Sequence, residues 1–139
     1  MAVSTNHLAS RLAVLHYQND PSDATVATKG SWVRAADRNL ASIVVRSGAL
    51  VTAKIFAAVD SSGTTPTEVK ACTAPTTADA KDDRRVIEVS GEEILAALPL
   101  ATHICVEVDM NASTDDCSVT LIREGLRFIT ADMTADITS

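Results

Sequence analysis

Three stretches of this 139-residue chain alternate in character with a period of two, and few folds accommodate that pattern. In residues 50–60, Val51, Ala53, Ile55, Ala57 and Val59 take one face, while Thr52, Lys54, Phe56, Ala58 and Asp60 take the other. In residues 102–109, Ile104, Val106 and Val108 oppose His103, Cys105 and Glu107. In residues 117–124, Cys117, Val119, Leu121 and Arg123 oppose Ser118, Thr120, Ile122 and Glu124. Alternation of this kind predicts strands buried on one face only, the habit of antiparallel sheets. Shorter strands are expected at residues 31–35, 40–46, 67–73 and 85–89. Between them lie turn clusters rich in Gly, Ser, Asn, Asp and Pro, together with a polar, charged loop over residues 74–85. Ser90-Gly91-Glu92-Glu93 reads as a capping box. It opens one short helix from Gly91 to about Leu98, with Ile94, Leu95 and Leu98 as its apolar face and Pro99 as its stop. The expected fold class is all-β: an antiparallel β-sandwich or jelly-roll-like domain with one short helix and extended termini. Residues 1–30 read as an N-terminal arm or edge hairpin, 31–130 as the sandwich and 131–139 as a C-terminal tail.

The apolar content is unusual in kind. Twenty-two residues are alanine and only four are aromatic (Tyr17, Trp32, Phe56, Phe128). Alanine buries little area, at roughly 25 cal/mol per Å², so a thin core completed by partner subunits is expected. Twelve basic against 18 acidic residues give a net charge of -6. That balance argues against a sequence-independent nucleic-acid binder and against docking on an anionic membrane. No run approaches the roughly 18 apolar residues of a membrane span. Ser10, Arg11 and His16 interrupt the apolar stretch over residues 8–17, so no signal core is read there.

Cys72, Cys105 and Cys117 are odd in number and lack zinc-site spacing. They read as small buried hydrophobes or loop thiols. A Cys105–Cys117 disulfide is the sharper alternative, since both lie in consecutive strands. A hairpin symmetric about residues 112–113 would set Cys105 opposite Thr120 and Cys117 opposite Val108, which forbids the bridge.

Most catalytic signatures are missing, including the dinucleotide and phosphate loops, the zinc-protease motif and the nucleophile elbow. His7, His16 and His103 are far apart. His103, Cys105 and Glu107 share one strand face, which could be a metal site or a Cys–His pair, but reads better as the polar face of a half-exposed strand. Two acidic clusters, Asp79 with Asp82 and Asp83, and Asp109 with Asp115 and Asp116, do not match a calcium-loop spacing. The first belongs to a charge run over residues 79–85 that reads as solvated surface. Asn111-Ala112-Ser113 fits the glycosylation triplet by chance. Trp32 reads as a packing anchor rather than a sugar-stacking residue. No catalytic, cofactor-binding or metal residue is therefore assigned, and no cofactor is expected.

Three segments carry a resemblance: Ala57-Ala58-Val59-Asp60-Ser61-Ser62-Gly63-Thr64, Val86-Ile87-Glu88-Val89-Ser90-Gly91-Glu92-Glu93-Ile94 and Thr102-His103-Ile104-Cys105-Val106-Glu107-Val108. In their order, residues 48–128 resemble small β-rich structural proteins of tailed bacteriophages and prophages, typically encoded near the major capsid protein. The resemblance implies a non-enzymatic virion component made in the host cytoplasm, foremost a head decoration, cement or minor capsid protein. It implies the major capsid protein as partner and a homo-oligomer, a trimer by preference. A tail, neck or head-fibre component is the alternative, and a carbohydrate-binding β-sandwich module using Trp32 or Tyr17 is a further one.

Overall fold

In the computed structural model the alternating runs are strands, and their inward faces form one apolar layer. The structure describes residues 12–18, 28–73, 83–112 and 114–125, with backbone alone for 12–18, 28 and 73. The elements are β1 (Leu12–Gln18), β2 (Thr28–Lys29), β3 (Val33–Arg34), β4 (Arg38–Ser47), β5 (Leu50–Ala58), β6 (Thr67–Thr73), β7 (Arg84–Ser90), α1 (Gly91–Ala97), β8 (His103–Met110) and β9 (Asp116–Glu124).

Two antiparallel sheets face each other. The first has the order β1-β9-β4-β7, and the second runs β2-β8-β5-β6, with β3 also on β8. Counting β2 and β3 as one interrupted strand, the first pairs with the last, the second with the second-last, and so inward to β5 with β6. That is a long hairpin rolled upon itself, the jelly-roll connectivity. The interruption is local. One extra residue lies between the pairs Lys29↔Glu107 and Val33↔Ile104, which makes a bulge at residues 30–32, and the Gly30 N–H still reaches the Val106 carbonyl at 2.9 Å.

Among the described residues, the two strands within 1–30 therefore belong to different sheets, β1 on β9 and β2 on β8. Nor are β8 and β9 a hairpin: they too lie in opposite sheets, so the symmetric register considered for Cys105 and Cys117 does not exist. None of the three cysteines is in a disulfide.

Ala41, Ile43 and Val45 from β4, Ile87 and Val89 from β7, and Cys117, Val119 and Leu121 from β9 meet Ala53, Ile55 and Ala57 from β5 and Ile104, Val106, Val108 and Met110 from β8. The β5 face differs from the simple alternation. Val51 is an extra residue between the pairs Leu50↔Met110 and Thr52↔Asp109, and it changes the phase at the start of the strand. Leu50 is consequently buried and Val51 half-buried, while Val59, past the end of the strand at Ala58, is exposed.

The helix starts as expected. The Ser90 hydroxyl accepts from the Glu93 N–H at 3.1 Å, and the Glu93 carboxylate accepts from the Ser90 N–H at 2.8 Å. Those bonds, with Lys70 beside it, hold the Glu93 carboxyl below its usual range. Ile94 is buried and Leu98 half-buried, one turn apart, but Leu95 is exposed, so the apolar face is narrower than its spacing predicts.

Each end of the roll has a polar tie. At one, the buried Asp115 carboxylate accepts from the Ala49 N–H at 3.2 Å and the Ala112 N–H at 2.9 Å, joining the β4–β5 turn to the β8–β9 loop. Gly48 turns there at φ +75°, and a Cβ on it would overlap that carboxylate. At the other end, the fully buried Asn39 amide accepts from the Ala36 N–H at 3.0 Å and donates to the Ala36 and Val89 carbonyls at 2.9 and 3.2 Å. Gly48→Ala and Asp115→Ala should each lower unfolding free energy by about 1–3 kcal/mol, from left-handed strain with overlap and from two stranded N–H groups respectively. Because they share one contact, urea denaturation of the double variant should show a loss smaller than the sum; strict additivity would contradict the contact.

Candidate functional site

The row singled out in the sequence, His103, Cys105 and Glu107, lies on the outer side of β8, next to β2, β3 and β5. Residues two apart on a strand stand roughly 7 Å from one another, so the three side chains run in a line and do not converge. Each is bound into the sheet separately. His103 Nδ1 lies 2.7 Å from the Thr102 hydroxyl. Cys105, opposite Phe56, has no exposed surface, and burial pushes its thiol up to about 12. Such a thiol carries almost no thiolate at neutral pH and is a poor nucleophile or metal ligand.

Glu107 is only 8% exposed and forms an ion pair with Lys29, its register partner on β2. Lys29 Nζ also sits 4.3 Å from the centroid of the Phe56 ring. Glu107 is opposite Lys54 in register, and Lys54 Nζ is 3.1 Å from the Glu68 carboxylate on β6. Charges therefore alternate across four strands of the second sheet: Glu68, Lys54, Glu107, Lys29. This self-neutralising band was not read from the sequence, because Lys29 and Glu107 are 78 residues apart. The only hint was their opposite charge in separate strands.

Of the acidic clusters, Asp109 is half-buried on β8. Asp115 ties two loops, as above, and Asp116 lies 3.8 Å from Arg46 Nε. Asp83 takes two contacts from the Arg85 guanidinium, at 3.0 and 2.8 Å. Asp79 and Asp82 lie outside the described residues, as do Ser113 of the glycosylation triplet, His7 and the side chains of His16 and Tyr17. Among the described residues, no three His, Cys, Asp or Glu are placed to share a metal ion. Trp32 is half-buried, and its indole lies against Gly63, where φ is +73° and a Cβ would overlap the ring. The residue is thus a packing partner for the β5–β6 loop.

Two hollows flank α1. One, of about 450 Å³, is lined by Arg38, Lys70, Glu88, Val89, Ser90 and Glu93. Lys70 spans it, donating to the Glu88 carbonyl at 2.9 Å and the Glu93 carboxylate at 3.3 Å. The other, of about 290 Å³, is lined by Asp37, Ser90, Gly91 and Glu92. Both open on the outside of the roll, and among the described residues the side chains between the sheets are the apolar ones named above. Among the described residues, no helix is long and apolar enough to cross a membrane.

No family model matches the sequence, and no curated protein matches it. Among solved structures, the chain is similar to one titled "Structure of infectious bursal disease virus Gx strain", at 12% identity and a TM-score of 0.37. The alignment covers 92% of this chain and spans 37% of that one. A likeness at that score adds nothing to the connectivity read directly from the strand pairing.

The burial of the thiols is testable. Under native conditions at about pH 8, iodoacetamide should modify the half-buried Cys72 and spare Cys105 and Cys117 until denaturant is added. Mass spectrometry of the alkylated peptides reads this directly, and prompt native labelling of Cys105 would contradict its placement.

Proposed function

We propose that this chain is a non-enzymatic structural protein of a virion, which binds the capsid surface of a tailed bacteriophage and stabilises the shell. The observation that supports the reading is a jelly roll whose described interior residues are apolar. Folds of this class serve viral capsids, lectins and cupin enzymes alike, so the connectivity alone does not choose among them. The cupin type of chemistry uses the inside of the roll, which aliphatic side chains occupy here. A sugar-binding surface would use an open aromatic platform, and Trp32 is engaged with Gly63. What is left to work with is the exterior, and an exterior acts by contact with other macromolecules.

The resemblance of residues 48–128 to phage structural proteins supports the same reading, with the major capsid protein as partner and several copies of this chain acting together. The mechanism is mass action. A protein that binds only the assembled shell shifts the balance toward assembly by its binding free energy. The net charge of -6 favours solubility before assembly.

Added to shells of the phage that encodes it, the purified chain should bind in fixed stoichiometry and raise the temperature at which the shells break, read by light scattering. Association with detached tails but not with heads would replace this reading by the tail or neck alternative. Binding to a glycan array without binding to shells would replace it by the carbohydrate module.

A further inference from the structure

β7 is the last strand of the first sheet, and among the described residues no strand lies on its far edge. The phase of its backbone is fixed by its bonds. Residues of an antiparallel strand alternately turn their N–H and C=O toward one neighbour and toward the other side. The Asp83 carbonyl accepts from the Val45 N–H of β4 at 2.9 Å, and the Val89 carbonyl accepts from the Asn39 amide of β4 at 3.2 Å. The Glu88 carbonyl instead accepts from Lys70 on β6. Odd-numbered residues therefore face β4, and Arg84, Val86 and Glu88 turn outward along the edge.

Side chains close both ends of that edge. Asp83 Oδ1 accepts from the Arg84 N–H at 3.1 Å, Arg85 Nη1 donates to the Arg84 carbonyl at 3.2 Å, and Lys70 covers the Glu88 carbonyl. Between them stands Val86, 50% exposed, the one exposed large hydrophobic residue inside a strand among the described residues. An unbulged, proline-free edge of this kind is a template for strand addition. Arg84 and Glu88 are exposed, and neither has an ion pair among the described residues.

We propose that β7 pairs antiparallel with β7 of a second copy of this chain, about a two-fold axis through Val86. Charge selects that register. An axis through Arg84 or through Glu88 sets like charges face to face. One through Arg85 sets Arg84 opposite valine, and one through Ile87 sets Glu88 opposite valine. The axis through Val86 sets Arg84 opposite Glu88 twice and Val86 opposite Val86. Opposite charges directly across a strand pair are favourable and like charges are not. The carbonyls of Arg84 and Glu88 keep a second lone pair, so Arg85 and Lys70 stay in place, and the Asp83 contact to the Arg84 N–H is the one exchanged. The product is a sheet running through both copies, an isologous interface that closes as a dimer, unlike the trimer that the sequence resemblance implies. It does not depend on the virion reading.

Sedimentation equilibrium of the full chain over a concentration series tests this. The expected result is a monomer–dimer equilibrium in which Arg84→Glu and Glu88→Arg each weaken dimerisation about tenfold or more. The double variant R84E/E88R should restore it, which a merely destabilising effect on the fold would not do. A second measurement uses the unaltered chain: exchange of the Val86 amide should slow as protein concentration rises. A single-chain mass at all concentrations, a trimer, a dimer indifferent to either reversal, a double variant no better than the singles, or a concentration-independent Val86 amide would each overturn the proposal.

Discussion

The pairing of β4 with β9 and of β5 with β8 is the constraint on which the roll depends. Each of these four strands has neighbours on both sides, and together they supply most of the buried aliphatic side chains. None of these inner pairs is a local hairpin except through the roll itself. β9 cannot bury Val119 and Leu121 until β4 is in place, and β8 cannot bury Val106 and Val108 until β5 is. Non-local pairing of this kind carries a loop-closure cost before any contact rewards it, and it makes folding slow compared with local topologies. The polar ties at the two ends then have a clear role. Asp115 and Asn39 fix turns that would otherwise leave buried N–H groups unbonded, and they set the register of strands that are distant in sequence.

Much of this was legible in residues alone, and the reason is physical. A period of two survives any topology, so Ile104, Val106 and Val108 or Cys117, Val119 and Leu121 could be assigned to one face without knowing the partner strand. The capping box is equally local: Ser90 and Glu93 satisfy one another within one turn. What failed was whatever depends on a partner. The bulge at Val51 in β5 moves Leu50 into the core and leaves Val51 outside it, and a bulge is decided by the opposing strand. The hairpin considered for residues 102–124 also depends on the partner, and in a roll β8 and β9 separate into opposite sheets.

The row on β8 divides in the same way. His103, Cys105 and Glu107 were correctly placed together on one face, and their spacing correctly suggested a row. That Cys105 and Glu107 would be buried on an outward face could not be read, because the cover comes from Lys29 and Phe56 on other strands. Chemistry that looked available in one dimension is consumed in three: the carboxylate by an ion pair, the thiol by desolvation.

The two outer faces that result are unequal toward a partner. On the second sheet, Glu68, Lys54, Glu107 and Lys29 already meet opposite charges within the chain. Exposed ion pairs add little to folding, but covering them with another protein removes their water, and the Coulombic gain was available beforehand. The first sheet carries outward charges too, Arg38, Arg84, Glu88, Asp116 and Glu124, but between them lie Leu40, Ser42 and Val44 on β4, Val86 on β7, and Ser118, Thr120 and Ile122 on β9. Aliphatic and hydroxyl groups cost less to desolvate than ions, and the aliphatic ones gain from it. Contact with other proteins is therefore less costly over that patch than over the ion-paired band of the second sheet. Pairing through β7 widens the first sheet and leaves its outward face uncovered, so a dimer formed at the edge offers a partner twice the aliphatic surface of a single chain.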